Sequence, residues 1–496
     1  MQVLVTGGTG VVGSATVSAL LNKGHEVRLL SRHAERDARA WPAGVTAVPG
    51  DVADEATFAG AAEGCDAVVH IAGIVRESPP DTTFERVNVD GTRNIVREAE
   101  RAAVRRFVYV SSLGSEHGRS LYHRSKRDGE EIVRGFRGER VIVRPGAVYG
   151  PGDEHLSMIL KWVRTLPVVP IIGDGEQPMQ PLWHEDAAKA IALAVEGQDL
   201  AGGEYDIAGT EVTTTREVVE RLRHLTNRSS PALPVPDFLA QLGIKAAGMV
   251  GVDLGVSESQ IEMLVEGSTL GAGQNAITRI FGISPVSLEE GLRRLVDAQP
   301  ELMPDEGVGP LTRKRFWIDI VESRFDADRL IDYVRLNFAR LAPSIMSAGA
   351  EPDSPTMVEQ GATLTLDLPF RGHVQVRVVE VDERRFTLMT LDGHPLAGAV
   401  RIQTESPRSD VVRLEVQAYD RAATLPDLLL MRSLGGALQT QAWTQLLQNV
   451  AKESGGRPGD VQHSSENLAP SEAAVVQRWA EELVAMRKQR EAVGRE

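Results

Sequence analysis

Cysteine is almost absent from this chain, and aromatic residues are sparse. Cys65 is the only cysteine among 496 residues, and aromatic side chains make up 5% of the composition. One cysteine cannot form a disulfide framework or a cysteine-rich metal site, so we expect no metal centre and a reducing, cytoplasmic environment. No apolar run reaches the roughly 20 residues of a membrane span. The strand predicted from Val3 leaves no room for a signal peptide.

Basic residues are in deficit as well. The chain has 54 Lys and Arg against 69 Asp and Glu, which gives a formal net charge of -15. Binding to nucleic acid requires a basic face, so a general nucleic-acid binder is not expected. The length of 496 residues exceeds that of one ordinary domain and predicts two or three domains.

The clearest motif that is present is a glycine-rich turn, TGGTGVVG, at residues 6–13. An apolar run precedes it at 3–5, a helix is predicted from about Val12 to Asn22, and a second strand follows at 27–30. This order is typical of a βαβ unit whose helix N-terminus holds the pyrophosphate of a dinucleotide. The alternative is a glycine-rich turn with a structural role alone.

Three spaced glycines have separate physical roles in such a unit. Gly7 allows the tight turn, Gly10 lets the backbone approach the pyrophosphate, and Gly13 lets the helix pack close to the strand. The phosphates would then meet the amide hydrogens and the positive end of the helix dipole. A small molecule of the dinucleotide class is therefore the expected ligand.

The end of the second strand bears on the choice of cofactor. An acid at this point binds the ribose of NAD. This chain has Ser31, Arg32 and His33 there, with no carboxylate before Glu35. The guanidinium fork of arginine matches a 2′-phosphate, so NADP is favoured and NAD is the alternative. Arg32 could instead be a solvated loop charge.

Strands and helices continue to alternate along the first part of the chain. Apolar strands are predicted at 46–49, 67–71, 106–110 and 140–143, with a helix at 95–103. This alternation predicts an α/β fold with a Rossmann-type, doubly wound parallel sheet. Binding sites in such sheets lie at the carboxyl ends of the strands. The residues at those ends are Gly7, Arg32, Asp51, Ala72 and Ser112.

A phenol and an ammonium group are predicted one helical turn apart. Tyr122 and Lys126 begin and end the segment YHRSK, and residues at this spacing share one face of a helix. Beside a bound dinucleotide they form a candidate acid/base pair. The alternative is that Tyr122 is a buried structural residue.

Together these motifs resemble the extended short-chain dehydrogenase/reductases, in the NAD(P)-dependent epimerase/dehydratase superfamily. The resemblance covers about the first 300 residues and is strongest to an atypical branch that includes the accessory subunit of respiratory complex I. The motifs that carry it lie at residues 6–13, 51–52, 70–73, 88–92, 122–126, 144–153, 184–186, 205–212 and 281–285.

The resemblance implies catalytic roles for Ser112, Tyr122 and Lys126. Tyr122 would be the acid/base, and Lys126 would favour its phenolate and hold the nicotinamide ribose. Ser112 would orient the substrate oxygen, although Ser111 could occupy that place. The cofactor-binding residues implied are Thr6, Gly7, Thr9, Gly10, Val11, Val12, Gly13, Ser31, Arg32, Asp51, Val52, Ala72, Gly73, Tyr122, Lys126, Pro145 and Val148.

The predicted function is that of an NADP-dependent oxidoreductase acting on a carbonyl or alcohol, with a hydrophobic small molecule as candidate substrate. Ser112 and Tyr122 are close in sequence, which leaves little chain for a substrate-covering loop, and no nucleotide-sugar signature is present. Two alternatives remain open. One is an epimerase or dehydratase that retains its cofactor, and the other is a non-catalytic NADP(H)-binding scaffold or assembly protein.

Residues 1–300 are predicted to form the first domain. The second half of the chain has a different order of predicted strands and helices. Residues 301–312 are predicted to form a linker, and residues 313–455 are predicted to form a separate α+β domain with an antiparallel sheet. Its elements are a strand at 316–321, a helix at 328–341, strands at 362–368, 374–381, 385–391, 399–404 and 411–418, and a long helix at 425–452.

This order of elements resembles the helix-grip fold of the START-like superfamily. Within it, the match is to a small family known only as a domain of unknown function. The resemblance implies a cavity suited to an apolar ligand, or a docking role, and a purely structural role is the alternative. His373 and His394 are predicted at the surface.

Three segments carry smaller predictions. Residues 231–236 predict a stiff connector, and residues 240–252 predict either a lid or a packed pair of helices. Residues 456–496 predict a flexible segment and a last helix from Ser471, which would pack on this chain or on a second copy in a homodimer. The apolar stripe of that helix is Val475, Trp479, Leu483 and Met486.

Overall fold

The computed structural model describes residues 1–38, 41, 43–236, 269–271, 273–352, 354–369, 371–430 and 435–493. The predicted lid or helix pair at 240–252 lies outside them. The chain divides into two compact units. The first comprises Met1–Ile159, Pro170–Arg221 and Ala232–Leu295, and the second comprises Leu160–Val169, Leu222–Pro231 and Val296–Glu496.

A seven-stranded parallel sheet forms the centre of the first unit. Its strands are β1 (Gln2–Thr6), β2 (Glu26–Ser31), β3 (Val45–Pro49), β4 (Ala67–His70), β5 (Arg106–Val110), β6 (Glu139–Pro145) and β11 (Glu204–Ile207). Their order across the sheet is β11-β6-β5-β4-β1-β2-β3, and every neighbouring pair is parallel. The predicted Rossmann-type sheet is confirmed.

Six short strands pair outside this sheet. They are β7 (Val148–Tyr149), β8 (Val169–Ile172), β9 (Pro178–Met179), β10 (Leu182–Trp183), β12 (Thr213–Thr214) and β13 (Ala232–Val235). The pairs are β10-β7, β12-β9 and β13-β8. The predicted connector at 231–236 is therefore a strand. Its Val235 carbonyl accepts a hydrogen bond from the Gly173 N–H at 2.8 Å.

The helices of this half follow the predicted alternation. They are α1 (Val11–Asn22), α2 (Ala34–Ala38), α3 (Gly91–Arg101), α4 (Leu121–Arg134), α5 (Leu156–Thr165), α6 (His184–Glu196), α7 (Thr215–Leu225), α8 (Ala276–Arg279) and α9 (Leu288–Asp297). Several of these helices have a side-chain oxygen that caps the N-terminus. At α7, the Thr214 hydroxyl accepts a hydrogen bond from the Glu217 N–H at 3.2 Å.

The core of the first unit has two layers because β1 is buried on both faces. Val5 packs in one layer with Leu20 of α1. Leu4 points to the other layer, with Ile95 of α3 and Val133 of α4. Helices on both faces of a parallel sheet leave the carboxyl ends of its strands together at one edge, where the glycine-rich turn also lies.

An antiparallel sheet forms the centre of the second unit. Its strands are β14 (Val308–Val321), β15 (Ser347–Ala348), β16 (Thr363–Leu368), β17 (Gly372–Asp382), β18 (Arg385–Thr390), β19 (Leu396–Arg408), β20 (Val411–Ala422), β21 (Arg457–Pro458) and β22 (Gln462–Asn467). The order is β15-β16-β17-β18-β19-β20-β14-β21, and β22 also pairs with β14. The predicted antiparallel unit is confirmed.

Five helices accompany this sheet among the described residues: α10 (Ala327–Leu336), α11 (Phe338–Leu341), α12 (Leu425–Leu430), α13 (Gly436–Ser454) and α14 (Pro470–Val493). The predicted helix at 328–341 is interrupted at Asn337, whose side chain donates to the Tyr333 carbonyl at 2.9 Å. The predicted helix at 425–452 corresponds to α12 and α13, and residues 431–434 between them are outside the described part of the chain.

The predicted linker and the segment after Gly455 are both hydrogen-bonded to this sheet. In the predicted linker at 301–312, the Leu302 N–H donates to the Thr390 carbonyl at 2.7 Å, and β14 begins at Val308. After Gly455, β21 and β22 both pair with β14. These strands satisfy backbone groups along β14 that would otherwise be unpaired, which differs from the predicted flexible break.

The predicted surface position of two histidines is wrong. His373 and His394 are buried, at 7% and 8% exposure. On α14, Trp479 and Leu483 of the predicted apolar stripe pack with Ala480 on Val379, Met389 and Ala399 of this chain. The other two residues of that stripe, Val475 and Met486, are exposed. Among the described helices, none has the length and apolar character needed to cross a membrane.

Candidate active site

The glycine-rich turn connects β1 to α1 at the edge of the parallel sheet. Gly7 has a φ of +71°, and a Cβ there would lie 2.5 Å from the Ala72 nitrogen. A Cβ on Gly13 would lie 2.0 Å from the Gly7 carbonyl oxygen. Both positions therefore require glycine. The close approach of Gly13 is to the turn itself, so this residue fixes the first turn of α1 against Gly7.

The N-terminus of α1 is suited to an anion. Gly10 is its N-cap and supplies no side-chain hydrogen bond, and the first helical turn contains no acidic residue. The first amide hydrogens of a helix have no partner within the helix and attract negative charge. The predicted residues Thr9, Gly10, Val11 and Val12 are exposed or partly buried here, which fits the pyrophosphate of a dinucleotide.

Buried polar side chains fix the neighbouring strand end at Ala72. The Thr6 hydroxyl lies 2.7 Å from His70 Nδ1 and accepts a hydrogen bond from the Ala72 N–H at 3.3 Å. His70 Nε2 lies 3.0 Å from the Thr92 hydroxyl. Burial, and then the charge of Lys126, lower the pKa of His70 to about 3. His70 is therefore a neutral structural ring at ordinary pH.

Asn88 ties the strand-end loop to α4. Its Oδ1 accepts from the Ile74 N–H at 2.8 Å, and its Nδ2 donates to the Ser125 hydroxyl at 2.9 Å. A Cβ on Gly73 would lie 3.2 Å from Asn88 Oδ1 and 3.7 Å from Lys126 Nζ. The predicted cofactor residue Gly73 therefore lies directly beside the predicted catalytic lysine.

Tyr122 and Ser112 meet in the structure. Tyr122 lies in the first turn of α4, which Ser120 caps by accepting from the His123 N–H at 3.2 Å. Burial raises the pKa of Tyr122, and the nearby Ser112 hydroxyl acts to lower it. Ser111 instead donates to the Glu130 carboxylate at 2.5 Å. Of the two serines, Ser112 is thus the one that contacts the phenol.

Lys126 lies one turn further along α4 and is 4% exposed. Its Nζ donates to the Val110 carbonyl at 2.7 Å and lies 4.5 Å from the centroid of the Tyr109 ring. Burial lowers the pKa of Lys126 to about 8, and the negative charge of Glu130 opposes this effect. The lowering of the Tyr122 pKa that was expected from Lys126 is not found, and burial of the phenol raises this pKa.

Glu130 is a buried carboxylate that the sequence analysis missed. It accepts hydrogen bonds from Ser111 at 2.5 Å, from Ser115 at 2.6 Å and from Arg144 at 2.7 Å. Burial acts to raise the pKa of Glu130, but the hydrogen bonds from Arg144 and the two serines outweigh it, so the pKa lies below its usual value. The charged Glu130 therefore lies close enough to Lys126 to act on the charge of that residue. The spacing of Lys126 and Glu130 on one helix face was the available signal.

The end of β2 has a carboxylate that the local sequence did not indicate. The Ser31 hydroxyl donates to Asp37 of α2, and Arg36 pairs with the same carboxylate at 3.3 Å. Arg32 is exposed, and within the described residues it makes no hydrogen bond or ion pair. Among the described residues, the Arg32 guanidinium at the predicted ribose end therefore has no partner, while Asp37 contacts Ser31 and Arg36.

The remaining predicted cofactor residues lie at two other strand ends. Asp51 follows β3, and its carboxylate accepts from the Ala53 N–H at 3.0 Å. Val52 is 8% exposed and accepts from Asn94 Nδ2 through its carbonyl at 3.0 Å. Pro145 ends β6, and Val148 begins β7. All of them belong to the first unit.

His184 is a second residue whose position was not anticipated. Its ring makes a hydrogen bond with the backbone of Val11, and burial lowers its pKa. A Cβ on Gly150 would lie 2.3 Å from this ring. The motif at 184–186 thus places a ring against the first turn of α1, next to the glycine-rich turn.

Comparisons with known proteins agree with this geometry. Residues 3–208 match the family described as the NAD dependent epimerase/dehydratase family. A 3-beta-hydroxysteroid dehydrogenase from Mycolicibacterium neoaurum is 34% identical over 296 residues, which are 53% of this chain and 80% of that protein. The chain belongs to the NAD-dependent epimerase/dehydratase family.

The chain is also similar to a second relative and to a protein of known structure. The ceramide reductase of Caulobacter vibrioides is 31% identical over 236 residues, covering 47% of this chain and 74% of that protein. The dTDP-glucose 4,6-dehydratase DesIV from Streptomyces venezuelae, solved with NAD and TYD bound, is 25% identical with a TM-score of 0.48 and covers 60% of this chain and 96% of that chain. Residues 343–449 match a domain of unknown function, DUF1990. The two resemblances inferred from sequence, to the dehydrogenase/reductase superfamily and to a domain of unknown function, are confirmed.

Proposed function

We propose that this protein is an NADP-dependent oxidoreductase that interconverts a carbonyl and an alcohol on a hydrophobic substrate. The observation that supports this most directly is the proximity of the Ser112 hydroxyl to the Tyr122 phenol, with Lys126 on the same helix. Two relatives support the substrate class, because their names refer to a ceramide and a hydroxysteroid.

The turn between β1 and α1 is the evidence for the proposed cofactor site. Side chains at Gly7 and Gly13 would collide with backbone atoms, and α1 begins without a side-chain cap. The preference for NADP rests on Arg32, which is exposed and has no ion-pair partner among the described residues. When bound, the nicotinamide would supply or accept the hydride.

The three catalytic candidates would manage the substrate oxygen and its proton. Ser112 would donate a hydrogen bond to that oxygen and orient it beside Tyr122. The raised pKa of Tyr122 keeps its phenol protonated at neutral pH, which is the form that donates a proton during reduction. The buried ammonium of Lys126 would stabilise the phenolate left after that transfer.

Lys126 is close to its own titration point, which limits the pH range of this chemistry. Its pKa is about 8, so it carries a charge at neutral pH and loses it in mild alkali. Activity that depends on the ammonium should therefore decline as the pH rises through about 8.

A turnover panel tests the proposal. Purified protein is supplied with NADPH and a set of keto-steroids, long-chain ketones and aldehydes, and NADPH oxidation is followed. We expect turnover of at least one carbonyl compound, and a loss of about 100-fold or more in kcat for Tyr122→Phe with NADPH affinity retained. Tight NADPH binding with no turnover that depends on Tyr122 would instead support the scaffold function.

A further inference from the structure

Tyr109 is a buried aromatic residue beside the candidate active site. It lies on β5, and its side chain is 0% exposed. Its hydroxyl oxygen has no hydrogen-bond partner among the described residues, although buried tyrosines usually pair this group. Burial raises the pKa of the Tyr109 phenol above its usual value, and the Thr92 hydroxyl only partly opposes this rise. The phenol is therefore neutral, so the ring, and not a phenolate charge, is what Tyr109 offers to its neighbours.

Packing fixes the ring of Tyr109 in one place. The ring stacks on that of His70, with the centroids 5.7 Å apart and the planes inclined by 23°. His70 is itself held by the Thr6 hydroxyl at 2.7 Å and by the Thr92 hydroxyl at 3.0 Å. On the neighbouring helix α4, a Cβ on Gly129 would lie 2.3 Å from the Tyr109 hydroxyl oxygen. The glycine at this point of α4 therefore lets the helix lie close against the tyrosine.

The ammonium group of Lys126 lies over this ring. Its Nζ is 4.5 Å from the centroid of the Tyr109 ring, and a cation within about 6 Å of an aromatic face is attracted by the quadrupole of the ring. This attraction is stronger where water is excluded, and Lys126 is 4% exposed. The Val110 carbonyl accepts a hydrogen bond from the same Nζ at 2.7 Å. Two successive residues of β5 thus contact the ammonium, one through its ring and the other through its carbonyl.

The titratable groups around this buried ammonium supply little charge. Glu130, on the same helix, is charged and acts to raise the pKa of Lys126. His70 of β4 adds no positive charge, because burial and then Lys126 lower its pKa to about 3. The phenol of Tyr122 is protonated at neutral pH, because burial raises its pKa. Among these groups Glu130 alone is charged, and burial outweighs its effect, since the pKa of Lys126 falls to about 8.

We propose that the ring face of Tyr109 binds the ammonium of Lys126 through a cation–π interaction, which keeps that group charged and in place beside the candidate active site. Tyr109 is then a positioning residue, because it acts through Lys126 and does not touch the substrate. Only the effect on catalysis rests on the proposed function. The interaction itself is a property of the unliganded protein and can be measured without turnover.

A titration of Lys126 by NMR tests the interaction directly. The full-length protein is labelled with lysine that carries ¹³C at the ε carbon, and the signal lost in Lys126→Arg is assigned to Lys126. This signal is followed with pH in the unmodified protein, in Tyr109→Phe and in Tyr109→Leu. Phenylalanine keeps the ring face, so the pKa of Lys126 should change by less than about 0.2. Leucine is apolar but has no aromatic face, so this pKa should fall by roughly 0.5 or more.

Two results would overturn the proposal. One is a Lys126 pKa that is unchanged or raised in folded Tyr109→Leu. The other is an equal fall in Tyr109→Phe, which would assign the effect to the hydroxyl. If Tyr109→Leu does not fold, pentafluorophenylalanine is introduced at position 109 instead. Its ring has nearly the same shape and a reversed quadrupole, so the pKa of Lys126 should fall, and an unchanged value would contradict the proposal.

The positioning role is tested with a carbonyl compound that the protein reduces. The alkaline limb of kcat/KM should move to lower pH in Tyr109→Leu and stay in place in Tyr109→Phe, whereas a loss of packing alone would lower kcat/KM at every pH. A lowered Lys126 pKa without this movement would show that Tyr109 is not a positioning residue. If no carbonyl compound is reduced, the proposed function fails, and the NMR titration still decides whether Tyr109 binds the ammonium.

Discussion

Glu130 lies one helical turn beyond Lys126 on α4, and the two residues shift the lysine charge in opposite directions. Burial lowers the pKa of Lys126 to about 8, and the Glu130 carboxylate acts to raise it. Arg144 and two serine hydroxyls hold that carboxylate in its charged form. The proposed catalytic ammonium therefore depends on a residue that need not touch the substrate.

This relationship predicts a shift in the pH profile of the Glu130→Gln variant. Removing the negative charge lets burial lower the Lys126 pKa further, so the ammonium is lost at a lower pH. The alkaline limb of kcat/KM should move to lower pH than in the unmodified enzyme. Glu131→Gln is the matched control, because Glu131 is exposed and pairs with Arg134 at 2.6 Å. An alkaline limb that is identical in all three proteins would show that Glu130 has no such role.

The two adjacent serines should differ in their effect on catalysis. The Ser112 hydroxyl lies beside the Tyr122 phenol and would orient the substrate oxygen, so Ser112→Ala should lower kcat by about 100-fold while NADPH binding stays unchanged. Ser111 donates to Glu130, and Ser111→Ala should cost less activity. Steady-state kinetics with one substrate measure both. A larger loss of kcat in Ser111→Ala than in Ser112→Ala would show that Ser111, and not Ser112, orients the substrate oxygen.

Gly10 and Gly13 should separate cofactor binding from folding. A Cβ on Gly10 has the Gly7 oxygen at 3.6 Å as its nearest neighbour, so Gly10→Ala should change the free energy of unfolding by less than about 1 kcal/mol. It should nevertheless weaken NADPH binding about tenfold or more, because the added methyl group faces the cofactor cradle.

Gly13→Ala should damage both properties. Its Cβ would lie 2.0 Å from the Gly7 carbonyl oxygen, and overpacking of this kind costs about 1–3 kcal/mol. Thermal unfolding and NADPH titration of the two variants provide the comparison. Full NADPH affinity in Gly10→Ala would argue against a pyrophosphate at this turn.

Arg32 should determine the preference for NADP. The Arg32→Ala variant would lose the charged hydrogen bond to a 2′-phosphate. Its Kd for NADPH is expected to rise by roughly 10- to 100-fold, with NADH binding unaffected. Arg36→Ala is the control, since Arg36 pairs with Asp37. Tighter binding of NADH than of NADPH, weakened by Asp37→Asn, would identify NAD as the cofactor and Asp37 as its ribose ligand.

The first half of the fold could be predicted because its signals are local in sequence. The glycine spacing at Gly7 and Gly13 follows from backbone geometry, and the buried runs of β1 and β5 identify parallel strands. Strands β14 and β16 to β20 of the second sheet were also predicted, because alternation and short turns mark antiparallel pairs, whereas β15, β21 and β22 were not. The strand ends differed from the predicted ones: β14 begins at Val308, eight residues before the predicted start at Phe316.

What could not be predicted depends on tertiary packing. Asp37 reaches Ser31 only because α2 turns back toward the end of β2. His394 was expected at the surface because it lies in a turn, yet it is only 8% exposed. The pairing of β22 with β14 joins residues far apart in sequence. Such contacts are fixed by burial and by unpaired backbone groups, and no local pattern reports them.

The most direct test of hydride chemistry at Tyr122 is deuterium transfer from NADPH labelled at the reactive position of the nicotinamide. The protein is incubated with the labelled cofactor and a carbonyl compound that it reduces, and the alcohol product is analysed by mass spectrometry. We expect one deuterium on the carbinol carbon with the unmodified protein, and none above background with Tyr122→Phe, which still binds NADPH. Product without the label, or equal labelling by the Tyr122→Phe variant, would contradict it.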